Sequence, residues 1–188
     1  MSTSRTLEQV EQAITSLDLA PIKVKLMDPE SGEGWTQEDA DTVELWYRRF
    51  LILSFKHRSK PVVVNDAIDT FWHYHILDTR KYAEDCETVF GYFLHHFPYF
   101  GMRGEQDSKN LQQSFSDTLK LIEEEFGESL EDTFGSRWES KNRPSRTDQP
   151  RFKGSSCSDC GGGNNYTGDG DGLHAFFRDR PGQPAKVA

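Results

Sequence analysis

The segment Thr36-Gln-Glu-Asp-Ala-Asp-Thr-Val-Glu-Leu-Trp-Tyr-Arg-Arg-Phe-Leu-Ile-Leu-Ser-Phe-Lys56 decides the fold class. Thr36 and Asp39 have the spacing of a helix cap, in which a side-chain oxygen satisfies a backbone N–H of the first turn. Val43, Trp46, Tyr47, Phe50 and Leu51 then recur at i, i+3, i+4, i+7 and i+8, the stripe by which a helix buries one face. The spacing predicts a helix over 36–56. Upstream, Thr6 and Gln9 form a similar cap ahead of Leu7, Val10, Ile14 and Leu17, predicting a helix over 6–19 that Pro21 stops. Downstream of Pro61-Val-Val-Val64, Asn65 can cap a helical run through Ile68, Phe71, Trp72, His75, Tyr82, Cys86 and Val89, ending at Gly91. A break near Asp78-Thr79 makes this either two helices or one kinked helix. The stretch Phe97-Pro-Tyr-Phe-Gly-Met-Arg-Gly104 cannot continue a helix. Asp107 or Ser108 then caps a last helix with the stripe Leu111, Phe115, Leu119, Ile122 and Phe126, stopped by Gly127. No alternating strand of any length competes, so the expected class is all-α, a small helical bundle over 5–134.

Composition places that bundle in a wider frame. The chain has 188 residues, 35% of them hydrophobic and 12% aromatic, enough for one core but not for a core along the whole length. Residues 136–188 take 8 of the 15 Gly and 4 of the 8 Pro, and carry a net charge of +3 against −12 for residues 1–135. Runs such as Arg143-Pro-Ser-Arg-Thr-Asp-Gln-Pro150 bury too little apolar surface to offset ordering, so a disordered, Gly- and Pro-containing tail is expected over 135–188. No stretch approaches the roughly 20 apolar residues of a membrane span, and Met1-Ser-Thr-Ser-Arg5 leads into no apolar signal core. With an odd number of cysteines, three, the expectation is a cytoplasmic protein in a reducing compartment and without a membrane partner. A net charge of −9 argues against nonspecific nucleic-acid binding. The aromatic cluster Phe90 to Phe100 has no basic partner before Arg103, which disfavours a base-stacking RNA surface as well.

The residues able to carry chemistry concentrate at Asp69-Thr-Phe-Trp-His-Tyr-His75 and His95-His-Phe-Pro-Tyr99, which hold four of the six histidines. Imidazole and carboxylate suit a borderline metal such as Zn or Fe, so Asp69, His73, His75, His95 and His96 are the candidate metal ligands. Helix geometry narrows them. At 100° per residue His73 and His75 point about 200° apart, whereas Asp69 and His73 at i, i+4 share a face. The same argument divides His95 from His96, leaving Asp69, His73 and one of the later pair as the minimal set. Against this stands a structural reading in which His75, on the apolar stripe, is a hydrogen-bonded core histidine and Asp69 simply orients His73. Cys86 lies between Asp85 and Glu87, carboxylates that raise a thiol pKa, and reads as an inert helix cysteine. Cys157-Ser-Asp-Cys160 has metal or redox spacing but supplies half of a four-thiolate site, and Gly161-Gly-Gly163 is not the helix a redox motif needs. Asn165 to Phe176 imitates a calcium loop, yet Phe176 stands where a bidentate Glu is required.

The run Ile68-Asp-Thr-Phe-Trp-His-Tyr-His-Ile-Leu-Asp-Thr-Arg-Lys-Tyr-Ala-Glu-Asp-Cys86, followed by Phe90-Gly-Tyr-Phe-Leu-His-His-Phe-Pro-Tyr-Phe-Gly-Met-Arg-Gly104, resembles the bacterial glycine-rich domain-containing protein-like family. Plant glycine-rich domain proteins carry a related D-x-x-W-H-x-H segment. Gly32-Glu-Gly-Trp35 and Trp46-Tyr-Arg-Arg-Phe50 look like the bacterial members too, so the resemblance covers residues 20–130. It implies a shared motif of Asp69, Trp72, His73, His75 and Tyr82, and no particular reaction, substrate or ligand. Nothing in the chain matches the RNA-recognition module of some plant relatives.

Three functions are compatible with these residues. The first is a non-catalytic interaction or scaffold domain with a protein partner, in which the aromatic and histidine segment is architecture. The second is a metal-binding helical protein using Asp69, His73 and His95 or His96 with Zn or Fe. The third is a peptide precursor or carrier modified at Cys157 and Cys160.

Overall fold

A computed structural model of the chain describes residues 5–135. The tail expected to be disordered, with Cys157, Cys160 and the segment Asn165 to Phe176, lies outside the described residues. Among the described residues the regular structure is helical throughout, with no strand, and no helix is long and apolar enough to cross a membrane. The all-α expectation holds. The described residues fall into two compact units, one reaching Thr118 and one beginning at Leu119.

The first unit contains α1 (Leu7–Ser16), α2 (Ala20–Met27), α3 (Gln37–Lys56), α4 (Asp66–Leu77), α5 (Thr79–Phe90) and the start of α6 (Glu105–Phe126). Both capping boxes form. Thr6 Oγ1 accepts from Gln9 N while Gln9 Oε1 accepts from Thr6 N, and Thr36 and Asp39 do the same at the start of α3. The stripe Val43, Trp46, Tyr47, Phe50 and Leu51 is buried throughout, and through it α3 packs against α1, α2 and α4, while α5 packs on α1 and α4. Arg48, on the edge of that stripe, donates to the carbonyl oxygens of Ile14 and Leu17, and Glu44 holds its guanidinium at 2.6 Å. Carbonyls at a helix C-terminus have no partner of their own, so this one side chain satisfies the end of α1 and fixes it to α3.

Two local features depart from the expected elements. The first helix ends at Ser16 instead of 19, and Pro21 does not simply stop it: Pro21 lies in the first turn of a further helix, α2, where a missing N–H costs nothing. Helix α6 begins at Glu105, two residues before the expected cap. Asp107 sits inside its first turn, buried, and accepts from the backbone N–H groups of Gly101 and Arg103 and from the Arg103 guanidinium at 2.6 Å. It therefore caps the preceding loop rather than the helix.

The break at Asp78 is present, with Asp78 ending α4 and capping α5 through its side chain, and Gly91 closes α5 in the left-handed conformation at φ 71°. On α6, Leu111 and Phe115 are half-buried, and Thr118 is buried, accepting from Val63 N at 3.0 Å and donating to Ser114 O at 2.8 Å. In the second unit Ile122, Leu130 and Phe134 are buried, Leu119 and Phe126 are half-buried, and Gly127 ends α6 at φ 65°.

Candidate metal centre

Asn65 starts α4 by accepting from Ile68 N at 3.0 Å, and this sets the helical phase that puts Asp69 and His73 on one exposed face. The third member comes from the segment after Gly91. That segment is held at two points. The Arg58 guanidinium lies 4.2 Å from the Phe55 ring centroid and 4.8 Å from that of Tyr92, and the Tyr82 hydroxyl donates to the carbonyl oxygen of Leu94. The same hydroxyl accepts from Trp72 Nε1 at 2.9 Å, and the Trp72 ring meets the His96 imidazole edge-on at 4.5 Å between centroids. Tyr82 and Trp72 thus carry His96 to Asp69 and His73.

The result is a close cluster of two imidazole nitrogens and the two oxygens of one carboxylate. His96 Nε2 is 2.9 Å from Asp69 Oδ1, His73 Nε2 is 3.0 Å from His96 Nε2, and His73 Nε2 is 3.4 Å from Asp69 Oδ2. Partial burial lowers the His73 pKa, with Asp69 opposing and His96 reinforcing the shift, which favours the neutral imidazole that metal ligation requires.

With Asp69 ionised, hydrogen bonding leaves one of the three contacts without a donor–acceptor pair. A proton on His96 Nε2 alone serves its contacts with Asp69 and His73 but leaves His73 facing Asp69 with two lone pairs. A proton on His73 Nε2 alone leaves His96 and Asp69 in the same position. With both protonated, two donors lie 3.0 Å apart with no lone pair between them, whereas a neutral Asp69 whose Oδ2–H donates to His73 Nε2 leaves no contact without a proton. A cation would serve the two short contacts, because two ligands about 2.1 Å from one ion lie about 3.0 Å apart at right angles, the spacing of His96 Nε2 from Asp69 Oδ1 and from His73 Nε2.

The other candidate ligands lie elsewhere. His75 is 2% exposed, its Nε2 2.8 Å from Asp85 Oδ2 and its Nδ1 2.9 Å from the Tyr47 hydroxyl. The carboxylate accepts from Nε2–H, which leaves Nδ1 to accept from Tyr47, and Lys81 closes the chain on Asp85 at 2.9 Å. With both nitrogens used, His75 is a core histidine and not a ligand of this group. His95 is exposed, next to the Phe93 ring, and among the described residues the only group of three or more such side chains able to hold a metal ion is Asp69, His73 and His96.

Cys86 is buried, and burial is the main reason its thiol pKa is raised; the adjacent Asp85 carboxylate adds to this as a lesser contribution. The reading of His75 as a hydrogen-bonded core histidine holds, but its partners Tyr47 and Asp85 and the positioning hydroxyl of Tyr82 were not recognisable in sequence. The only trace of them was that Tyr47, His75 and Tyr82 fall on apolar stripes while carrying polar atoms that must be paired.

A family model described as UCP032817-like matches residues 10–130, more than half of the chain. No curated protein and no solved structure matches it.

Proposed function

The chain belongs to the UCP032817-like family, and we propose that its function centres on one transition-metal ion, Zn or Fe(II), bound by Asp69, His73 and His96. The observation that carries this reading is the convergence of two imidazole nitrogens and one carboxylate, with His96 Nε2 2.9 Å from Asp69 Oδ1 and 3.0 Å from His73 Nε2 on a partly exposed face. Two imidazoles and one carboxylate are a donor set used for zinc and for non-haem iron. Residues that carry the resemblance to glycine-rich domain proteins support it. Asp69 and His73 are ligands, Trp72 and Tyr82 orient His96, and His75 fastens α4 to the core from its opposite face. The reading assigns no reaction.

Full-length, untagged protein carried through gel filtration should retain close to one equivalent of metal. His73→Ala and His96→Ala should lose it, whereas His95→Ala should not. Protein that neither retains metal nor gains thermal stability with added Zn(II) or Fe(II) would overturn the proposal and leave the interaction domain with a protein partner as the better reading.

A further inference from the structure

We infer that the ion held by Asp69, His73 and His96 keeps adjacent coordination positions for an external ligand, a small monoanion with two oxygen donors, the chemistry shared by 2-oxo acids, 2-hydroxy acids and hydroxamates. This rests on the metal reading above and adds what the site takes.

Geometry comes first. His96 Nε2 lies 2.9 Å from Asp69 Oδ1 and 3.0 Å from His73 Nε2, the right-angle spacing of cis ligands, while the second carboxylate oxygen, Oδ2, is 3.4 Å from His73 Nε2. Three protein ligands on an octahedral ion leave three positions, and at least two of those are adjacent to one another, open to other donors. Among the described residues no fourth histidine, cysteine or carboxylate joins the group.

Access comes second. The side chains of His73 and Asp69 are 48% and 38% exposed, whereas His96 is 16% exposed and backed by the Trp72 ring. An ion there is screened on the His96 side and reached from the His73 and Asp69 side.

Charge selects the class. Of the three ligands only Asp69 is anionic, so a divalent ion keeps one net positive charge, which a monoanion neutralises. Residues 1–135 carry −12, a field that opposes polyanions such as nucleotides and leaves small monoanions the better match. A chelating ligand gains a second bond after the first has already fixed it in place, which favours two donors over one.

The test uses the full-length chain loaded with Co(II), cleared of excess metal by gel filtration, and titrated with acetohydroxamate or with acetate while the visible d–d bands are recorded. The expected result is a saturable one-to-one change with acetohydroxamate, at least tenfold tighter than with acetate, and cobalt that stays with the protein on a second gel filtration. Three results would overturn the inference while leaving the metal reading intact: bands that do not respond, a thiolate-to-cobalt charge-transfer band before any anion is added, or cobalt stripped from the protein by the chelator. A chain that holds no cobalt at the first step would sink the metal reading, and this inference with it.

Discussion

The Tyr82 hydroxyl accepts from Trp72 Nε1 and donates to the Leu94 carbonyl, so one oxygen fixes a ring on α4 and a turn of the following segment. Tyr82→Phe should therefore weaken metal retention by about 10- to 100-fold, the usual effect of removing a group that orients a ligand, with all three ligands still present. A competition titration against a chelator reads this directly, and unchanged affinity would show that His96 is placed by other contacts. Tyr47→Phe is the counterpart on the other side of α4. It removes the donor to His75 Nδ1 and leaves a buried acceptor unpaired, which should cost about 1–3 kcal/mol in chemical denaturation without altering metal content. At this scale Asp69 and His73 were legible in sequence because i, i+4 spacing needs only the helix. The choice of His96 over His95 was not legible, because it depends on the path of residues 91–97, which the Arg58 guanidinium and the Tyr82 hydroxyl hold from distant points in the sequence.

Helix α3 shows how much an element reveals when propensity, cap and stripe agree over 20 residues: its predicted bounds, 36–56, differ from the observed ones only by the cap residue itself. Helix α2 was invisible for the opposite reason. It has eight residues, buries Ile22 and Leu26, and leaves Val24 65% exposed, so no stripe distinguishes it from a loop around Pro21. Burial also ranks the helices energetically. Phe71 of α4 is fully buried, and Phe71→Ala should cost about 3–5 kcal/mol, whereas Phe115 of α6 is half-buried and should cost clearly less. Equal shifts in denaturation midpoint would show that the stripe of α6 is more completely covered than its exposure indicates.

The start of α6 adds a pH dependence. The Arg103 guanidinium, with help from the backbone N–H groups of Arg103 and Gly101, lowers the Asp107 pKa below its ordinary value of 3.8. A depressed folded-state pKa means that the unfolded chain binds the proton more readily, so this stabilisation is complete above about pH 4 and fades as pH falls toward the folded value. The stability difference between the parent chain and Asp107→Asn, measured by denaturation at pH 6 and at pH 3, should shrink at the lower pH. A constant difference would mean that Asp107 acts through geometry alone.

At the scale of the whole molecule, the hydrophobic pattern and caps over residues 5–134 were sufficient for the all-α class, because each long helix carries its own signals. The site needed more, since it joins the exposed face of one helix to a loop that returns over it, a relation that no local period encodes. If this return serves metal binding, retention should fall on acidification, because protons compete with the ion for the ligand lone pairs. The most direct measurement is metal analysis of full-length protein and of His96→Ala after gel filtration at pH 7.5. The account predicts close to one equivalent of Zn or Fe in the first and almost none in the second. Equal metal content in the two proteins, whether present or absent, would contradict it.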